Sequence, residues 1–230
     1  MEHKRVTLFA GHYGSGKTNI AVNYALHLAG EGKKVCIGDL DIVNPYFRTK
    51  DSAKELEEAG VDLISPQFAN TNVDLPALPA EAYRLVEDKS VYAIMDIGGD
   101  DRGAYALGRY VPALLAENNY RMAFVANCYR PLTRTPEDAL EVMREIETAC
   151  GLKFTCIINN SNLGADTTTE TVRGSLKYME ELSRLSGLPI WMTTARADIA
   201  VQTEDAFPLT LQTKIFDLPP RKPQNRPLWG

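Results

Sequence analysis

Eight residues near the start constrain this chain more than any others: Gly11-His-Tyr-Gly-Ser-Gly-Lys-Thr18. The pattern Gly-x-x-x-x-Gly-Lys-Thr is a phosphate-binding loop, and each fixed position has a chemical job. Gly11, Gly14 and Gly16 let backbone N–H groups turn toward an anion with no Cβ in the way. Lys17 is a flexible positive charge that reaches the β- and γ-phosphates, which makes it a catalytic candidate as well as a binding one. The Thr18 hydroxyl can take one position on Mg²⁺. Ser15 and Asn19 belong to the same cradle. Context supports the motif. Arg5-Val-Thr-Leu-Phe-Ala10 before it is a short apolar, β-branched strand, and Asn19 to Ala29 after it carries Ile20, Tyr24 and Leu28 on one helical face, with Gly30 and Gly32 as a stop. A phosphate held there would sit at a helix N-terminus.

The rest of the chain alternates strand and helix with short links, which predicts a three-layer α/β fold. A mostly parallel sheet of about seven strands should carry helices on both faces. Expected strands are Arg5–Ala10, Lys34–Asp39, Val61–Ile64, Val91–Ile97, Met122–Asn127, Thr155–Asn159 and Pro189–Met192. Several are continuous apolar runs, as buried parallel strands should be. Expected helices are Lys17–Ala29, Ser52–Ala59, Ala80–Glu87, Ala104–Glu117, Pro136–Ala149 and Thr169–Leu185. Pro136 followed by Glu137 and Asp138 makes a good helix start, and Gly151 a good stop. With 230 residues the chain suits one nucleotide-binding domain over 1–218. The remaining segment, 219–230, has four prolines in twelve residues and can be neither helix nor inner strand. It is a disordered tail or an extended arm that docks through Trp229.

Two acidic clusters fall at strand ends, where open α/β sheets bind ligands. In Asp39-Leu40-Asp41, alternation along an extended chain puts Asp39 and Asp41 on the same side. In Asp96-Ile-Gly-Gly-Asp-Asp101, Asp96 closes an apolar strand and reads as a Walker B acid that helps hold Mg²⁺, usually through water. Gly98 and Gly99 would let backbone approach a γ-phosphate and move when it leaves. Mg²⁺ takes hard oxygen ligands from carboxylates, hydroxyls, phosphates and water, so Thr18, Asp39 and Asp96 are the metal candidates. Asp41 is the candidate for orienting the attacking water, although the roles of Asp39 and Asp41 are exchangeable.

These motifs together resemble the MinD/ParA-type branch of P-loop ATPases, within the deviant-Walker or SIMIBI class that includes nitrogenase iron protein, the Mrp-type cluster carriers and dethiobiotin synthetase. The likeness runs from about Arg5 to Leu211. Asp39-Leu-Asp-Ile-Val-Asn-Pro45 looks like that class's switch I, and Asp96-Ile-Gly-Gly99 like its Walker B and switch II segment. Ile157-Ile-Asn-Asn160 resembles the apolar strand ending in Asn whose amide reads the base. Arg196-Ala-Asp-Ile199, followed by Phe207-Pro-Leu209, resembles the segment passing beside the base. An Asn amide offers donor and acceptor together, which suits adenine, and no guanine-reading N/T-K-x-D motif is evident. The resemblance therefore implies ATP and ADP as nucleotides, with Mg²⁺. It departs from the family at one point: sandwich dimers usually carry a second lysine early in the loop, where this chain has His12 followed by Tyr13. Arg48 is a candidate for the missing positive charge.

The reading that follows is a Mg²⁺-dependent ATPase switch, whose output is binding to a client protein or to a second copy of itself. The alternative is a small-molecule kinase or an ATP-dependent ligase like dethiobiotin synthetase, with Asn70, Asn72 and Asp74 lining an acceptor pocket. A net charge of −5 argues against nucleic acid as the main partner. The Pro-rich tail argues against a membrane-binding amphipathic helix. Cys36, Cys128, Cys150 and Cys156 are scattered, with no paired motif for an iron–sulfur cluster, and read as free thiols in a reducing cytoplasm. No signal peptide or membrane-spanning run is evident, which also points to the cytoplasm.

Overall fold

The computed structural model describes residues 2–40, 49–65, 80–99, 101–203 and 205–211. Its elements are β1 (Val6–Ala10), α1 (Lys17–Gly30), β2 (Val35–Leu40), α2 (Ala53–Glu58), β3 (Asp62–Ile64), α3 (Arg84–Glu87), β4 (Tyr92–Ile97), α4 (Asp101–Gly108), α5 (Val111–Glu117), β5 (Tyr120–Ala126), α6 (Pro136–Cys150), β6 (Cys156–Asn159), α7 (Thr169–Gly174), α8 (Leu176–Ser186), β7 (Ile190–Arg196), α9 (Ala197–Ala200) and β8 (Ala206–Leu209). The strands form one sheet in the order β3-β2-β4-β1-β5-β6-β7-β8. Every strand pairing is parallel.

The central strands are buried on both faces because helices cover both. Phe9, Ile37, Ile94, Val125 and Ile158 pack on one side with Ile20, Tyr24 and Leu28 of α1 and Leu56 of α2. The alternate residues Leu8, Cys36, Met95, Phe124 and Ile157 pack on the other side with side chains from α3, α4, α5, α6 and α8. β1 lies between β4 and β5. Its own connection leaves toward β2, whereas the chain after β4 crosses to β5, so the crevice at the carboxyl ends of these strands is a topological switch point.

Three details differ from the sequence expectation. The sheet has eight strands, since β8 pairs with β7 along Thr193–Arg196. Pro208 lies within β8, but β8 is the edge strand, where a missing N–H costs no ladder bond. The expected single helix over 104–117 is two, α4 and α5, and Pro112 sits in the first turn of the second. The expected helix over 169–185 also breaks, at Ser175. That break frees the Ser175 side chain, which donates to Val172 O at 2.6 Å and accepts from Asn159 Nδ2 at 2.8 Å. α6 begins and ends as read: Thr135 and Asp138 form a reciprocal capping box around Pro136, and Gly151 closes it with φ 72°.

At the amino end of the sheet, Arg5 is a buried anchor. Its guanidinium grips both carboxylate oxygens of Glu117 and donates to the carbonyls of Leu85 (3.3 Å), Val86 (3.4 Å), Asp88 (3.2 Å) and Val91 (3.4 Å). One side chain thereby joins β1, α5 and the end of α3.

Candidate functional site

The phosphate loop joins β1 to α1 in the order the motif requires. Gly11, Gly14 and Gly16 have φ values of 154°, 75° and 89°, all on the side that glycine alone adopts readily. A Cβ on Gly11 would lie 2.6 Å from Val125 O, and one on Gly16 would run into the Asn160 amide. Lys17 and Thr18, at the head of α1, are buried with 5% and 8% exposure. Lys17 Nζ reaches His12 O at 3.5 Å. Among the described residues no side chain caps α1, and its first turn holds no acid. The end of the helix dipole there favours negative charge. Ser15 Oγ is buried with no hydrogen-bond partner among the described residues. Asn19 lies in the first turn of α1, half-buried, and its carbonyl accepts from Asn23 Nδ2 at 2.8 Å.

Asp39 and Asp96 are direct register partners on β2 and β4. Alternation along both strands puts them on the face covered by α1, the same face as Ile37 and Ile94. Both are buried, at 2% and 0% exposure. Asp96 Oδ2 accepts from Thr49 Oγ1 at 3.2 Å. Like charges opposed across a pair of strands repel, and buried carboxylates are costly unless a cation compensates them. Two register-paired buried carboxylates on the sheet face covered by α1, together with the buried Thr18 hydroxyl at the head of that helix, are hard-oxygen donors of the kind Mg²⁺ takes. Gly99 sits directly against the phosphate loop: a Cβ there would be 2.7 Å from Tyr13 N and 3.1 Å from Gly11 O. Behind it, a Cβ on Gly103 of α4 would be 2.5 Å from Gly98 Cα.

The tips of β5, β6 and β7 are tied by polar side chains that sequence reading largely missed. Asn160 donates to Ser15 O at 2.6 Å and accepts from Thr194 Oγ1 at 2.7 Å, so both ends of its amide are used by the protein. Asn127, fully buried after β5, accepts from Tyr129 N (3.0 Å) and Asn162 N (3.3 Å) and donates to Asn162 O (3.3 Å). The same residue's carbonyl accepts from Thr133 Oγ1 at 2.7 Å and Arg130 N at 3.1 Å. Arg130 is thereby held over the outer turn of the phosphate loop, its guanidinium Nε 3.7 Å from where a Gly14 Cβ would be. It makes no ion pair among the described residues. The available signal was the polar run Asn127-Cys-Tyr-Arg130 directly after the buried strand β5, at the carboxyl end of the sheet. Arg196, at the end of β7, is bidentate on Asp198 (2.6 and 2.9 Å) and donates to Ala165 O at 3.3 Å.

Asp41 and Arg48 lie outside the described residues, as do Asn70, Asn72, Asp74 and the Pro-rich tail. All four cysteines are free, and three are buried. Burial pushes the Cys36 and Cys156 thiols up to about 11, which keeps them protonated and unreactive at neutral pH. No helix of the described residues is long and apolar enough to cross a membrane.

Comparison of the sequence with protein families and with curated proteins finds no match. Among solved structures, the chain is similar to cell division protein FtsY of Thermotoga maritima, with a TM-score of 0.56 and 18% identity over 85% of this chain and 63% of that one. It is also similar to the signal recognition particle receptor FtsY of Elizabethkingia anophelis (TM-score 0.54, 16% identity, 83% of this chain and 57% of that one). FtsY of Mycoplasma mycoides gives 0.53 and 18%, over 85% and 62%. The chain thus spans about three fifths of the length of these structures. At such identities the likeness speaks for the fold. It singles out no branch or family for this chain. The chain has the α/β architecture of P-loop nucleoside triphosphatases, with one eight-stranded parallel sheet between two helical layers.

Proposed function

We propose that this protein binds and hydrolyses a nucleoside triphosphate, with ATP as the nucleotide, and works as a switch for a client protein or a second copy of itself. The observation that carries the reading is one juxtaposition. An uncapped helix start bearing buried Lys17 and Thr18 lies on the same sheet face as two register-paired buried carboxylates, Asp39 and Asp96. In this reading Lys17 neutralises the β- and γ-phosphates, and backbone N–H groups of the loop take their oxygens. Thr18, Asp39 and Asp96 would hold Mg²⁺, which when bound neutralises charge on the phosphate oxygens as the terminal bond breaks. Asp41 is proposed to orient the attacking water. Gly99, against the loop backbone, would register whether the γ-phosphate is present.

The choice of ATP rests on the missing guanine motif. The Asn160 amide supports it less than the sequence suggested, because Ser15 and Thr194 already use both its ends. A guanine nucleotide is the second reading, favoured by the fold likeness to FtsY, one structure of which is in complex with GDP. Arg196, beside the Asn160 loop, is proposed as a wall of the base site. The test is phosphate release by the purified protein with Mg²⁺ and either ATP or GTP. Release from ATP without an acceptor supports the switch, and preferential release from GTP reverses the base assignment. Release only with added metabolites indicates a kinase or ligase. No binding of either nucleotide refutes the proposal.

Arg130 supplies the positive charge that His12 does not. Removing a charged hydrogen bond to phosphate costs about 1.5–3 kcal/mol. Arg130→Ala is therefore expected to weaken nucleotide affinity by roughly 10- to 100-fold, with Arg130→Lys intermediate. Fluorescence titration checks this, and an unchanged affinity and turnover in Arg130→Ala would remove Arg130 from the site.

A further inference from the structure

At the end of the sheet opposite the phosphate loop, three side chains converge that the nucleotide chemistry does not use. His3 precedes β1, His27 lies in the last turn of α1, and Glu31 follows α1 directly. Their candidate ligand atoms all fall within 4.8 Å of one another. His3 Nε2 is 3.1 Å from Glu31 Oε2, and His27 Nε2 is 3.3 Å from Glu31 Oε1. We propose that His3, His27 and Glu31 form a binding site for a borderline divalent transition ion, with zinc as its occupant and water in the fourth position.

Three observations carry this beyond a chance ion pair. The first is spacing. Zinc bonds of about 2.0–2.1 Å in a tetrahedron put neighbouring donors roughly 3.3–3.4 Å apart. Both imidazole–carboxylate separations already lie near that edge. The second is support behind a ligand. His3 Nδ1 is 2.9 Å from the hydroxyl of Tyr24, which is fully buried. The phenol oxygen can accept from Nδ1–H while Nε2 faces the metal. Such a partner fixes the tautomer and the ring angle, as outer partners of metal-bound histidines do. The third is preorganisation. His27 and Glu31 are four apart at a helix end, and the His27 ring rests edge-on against Phe207 at 5.5 Å. His3 reaches them from a different element, so an ion would tie the segment before β1 to the end of α1.

Two histidine nitrogens with a carboxylate oxygen suit Zn²⁺, Co²⁺ and Ni²⁺ better than Mg²⁺ or Ca²⁺. The site shares no residue with the phosphate loop, so it stands or falls apart from the nucleotide reading. The experiment is calorimetric titration of the metal-stripped full chain with zinc chloride at neutral pH, repeated with Co²⁺ while visible absorption is recorded. One saturable equivalent is expected, with the d–d bands of four-coordinate cobalt and no thiolate charge-transfer band. His27→Ala and Glu31→Gln change exposed positions and should fold. Each should weaken binding by at least about tenfold, since even outer partners of metal ligands contribute that much. Zinc should raise the melting temperature of the parent protein and of neither variant. Absence of saturable uptake at 100-fold excess over protein overturns the proposal, and so does uptake unchanged in both variants. Uptake abolished by Cys128→Ser instead would place the metal at a thiol and overturn it equally.

Discussion

Replacing Lys17 by alanine is expected to remove nucleotide binding almost entirely while leaving the fold intact. The ammonium is buried at the head of α1, where a triphosphate brings several negative charges into a poorly solvated crevice. Each charge-assisted bond contributes about 1.5–3 kcal/mol. Loss of a side chain that serves two phosphates should therefore raise Kd by about 10²-fold or more. A thermal melt reads this directly. A ligand at 100 times its Kd stabilises by about 2.7 kcal/mol, and a 100-fold weaker one at the same concentration by only about 0.4. For a domain of this size that is a shift of roughly 5–11 °C against about 1 °C. A variant that keeps the full shift would refute the assignment of the loop as the nucleotide site.

Arg5→Ala is expected to produce the largest loss of stability. Arg5 is buried, with Glu117 and four backbone carbonyls depending on it. Removing one partner of a buried pair costs about 3–5 kcal/mol, because the other charge is left behind. The melting temperature should fall by roughly 6–20 °C. Glu117 gives the prediction a pH signature. Its carboxyl is held below the usual 4.5, first by the Arg5 hydrogen bonds and then by Lys89, with burial opposing both. A carboxylate depressed in the folded state adds stability above its unfolded value, and loses it as pH falls through the folded value. The gap between wild type and variant should thus be widest near neutrality and shrink below about pH 4.5 as Glu117 protonates. A gap that stays constant into acid would mean that the loss is packing rather than charge.

Much of this architecture was legible because parallel strands buried on both faces write themselves as apolar runs. The glycine-rich turn between β1 and α1, the place of Asp39 and Asp96 near strand ends and the start of α6 were legible from local motifs as well. β8 escaped notice because it is short, contains Pro208 and exists only through its pairing with β7. The breaks inside the two long helical patterns were hidden by continuous apolar spacing, though Pro112 marked one of them. The polar links at the strand tips were harder. Asn127 meets Asn162, Asn160 meets Ser15 and Arg130 approaches Gly14, all across distances in sequence that no local pattern encodes. A lone Asn or Arg after a strand does not name its partner.

Two glycine contacts in series, Gly99 on the phosphate loop and Gly98 on Gly103, leave no side chain between the nucleotide cradle and the head of α4. Rotamer changes therefore cannot absorb a displacement there. An outward step of the loop must be met by main chain, and α4 packs on α6, across the sheet from α1. The proposed anion seat is thus coupled by main chain alone to the opposite helical layer, a linkage whose gearing is set by atoms that glycine lacks.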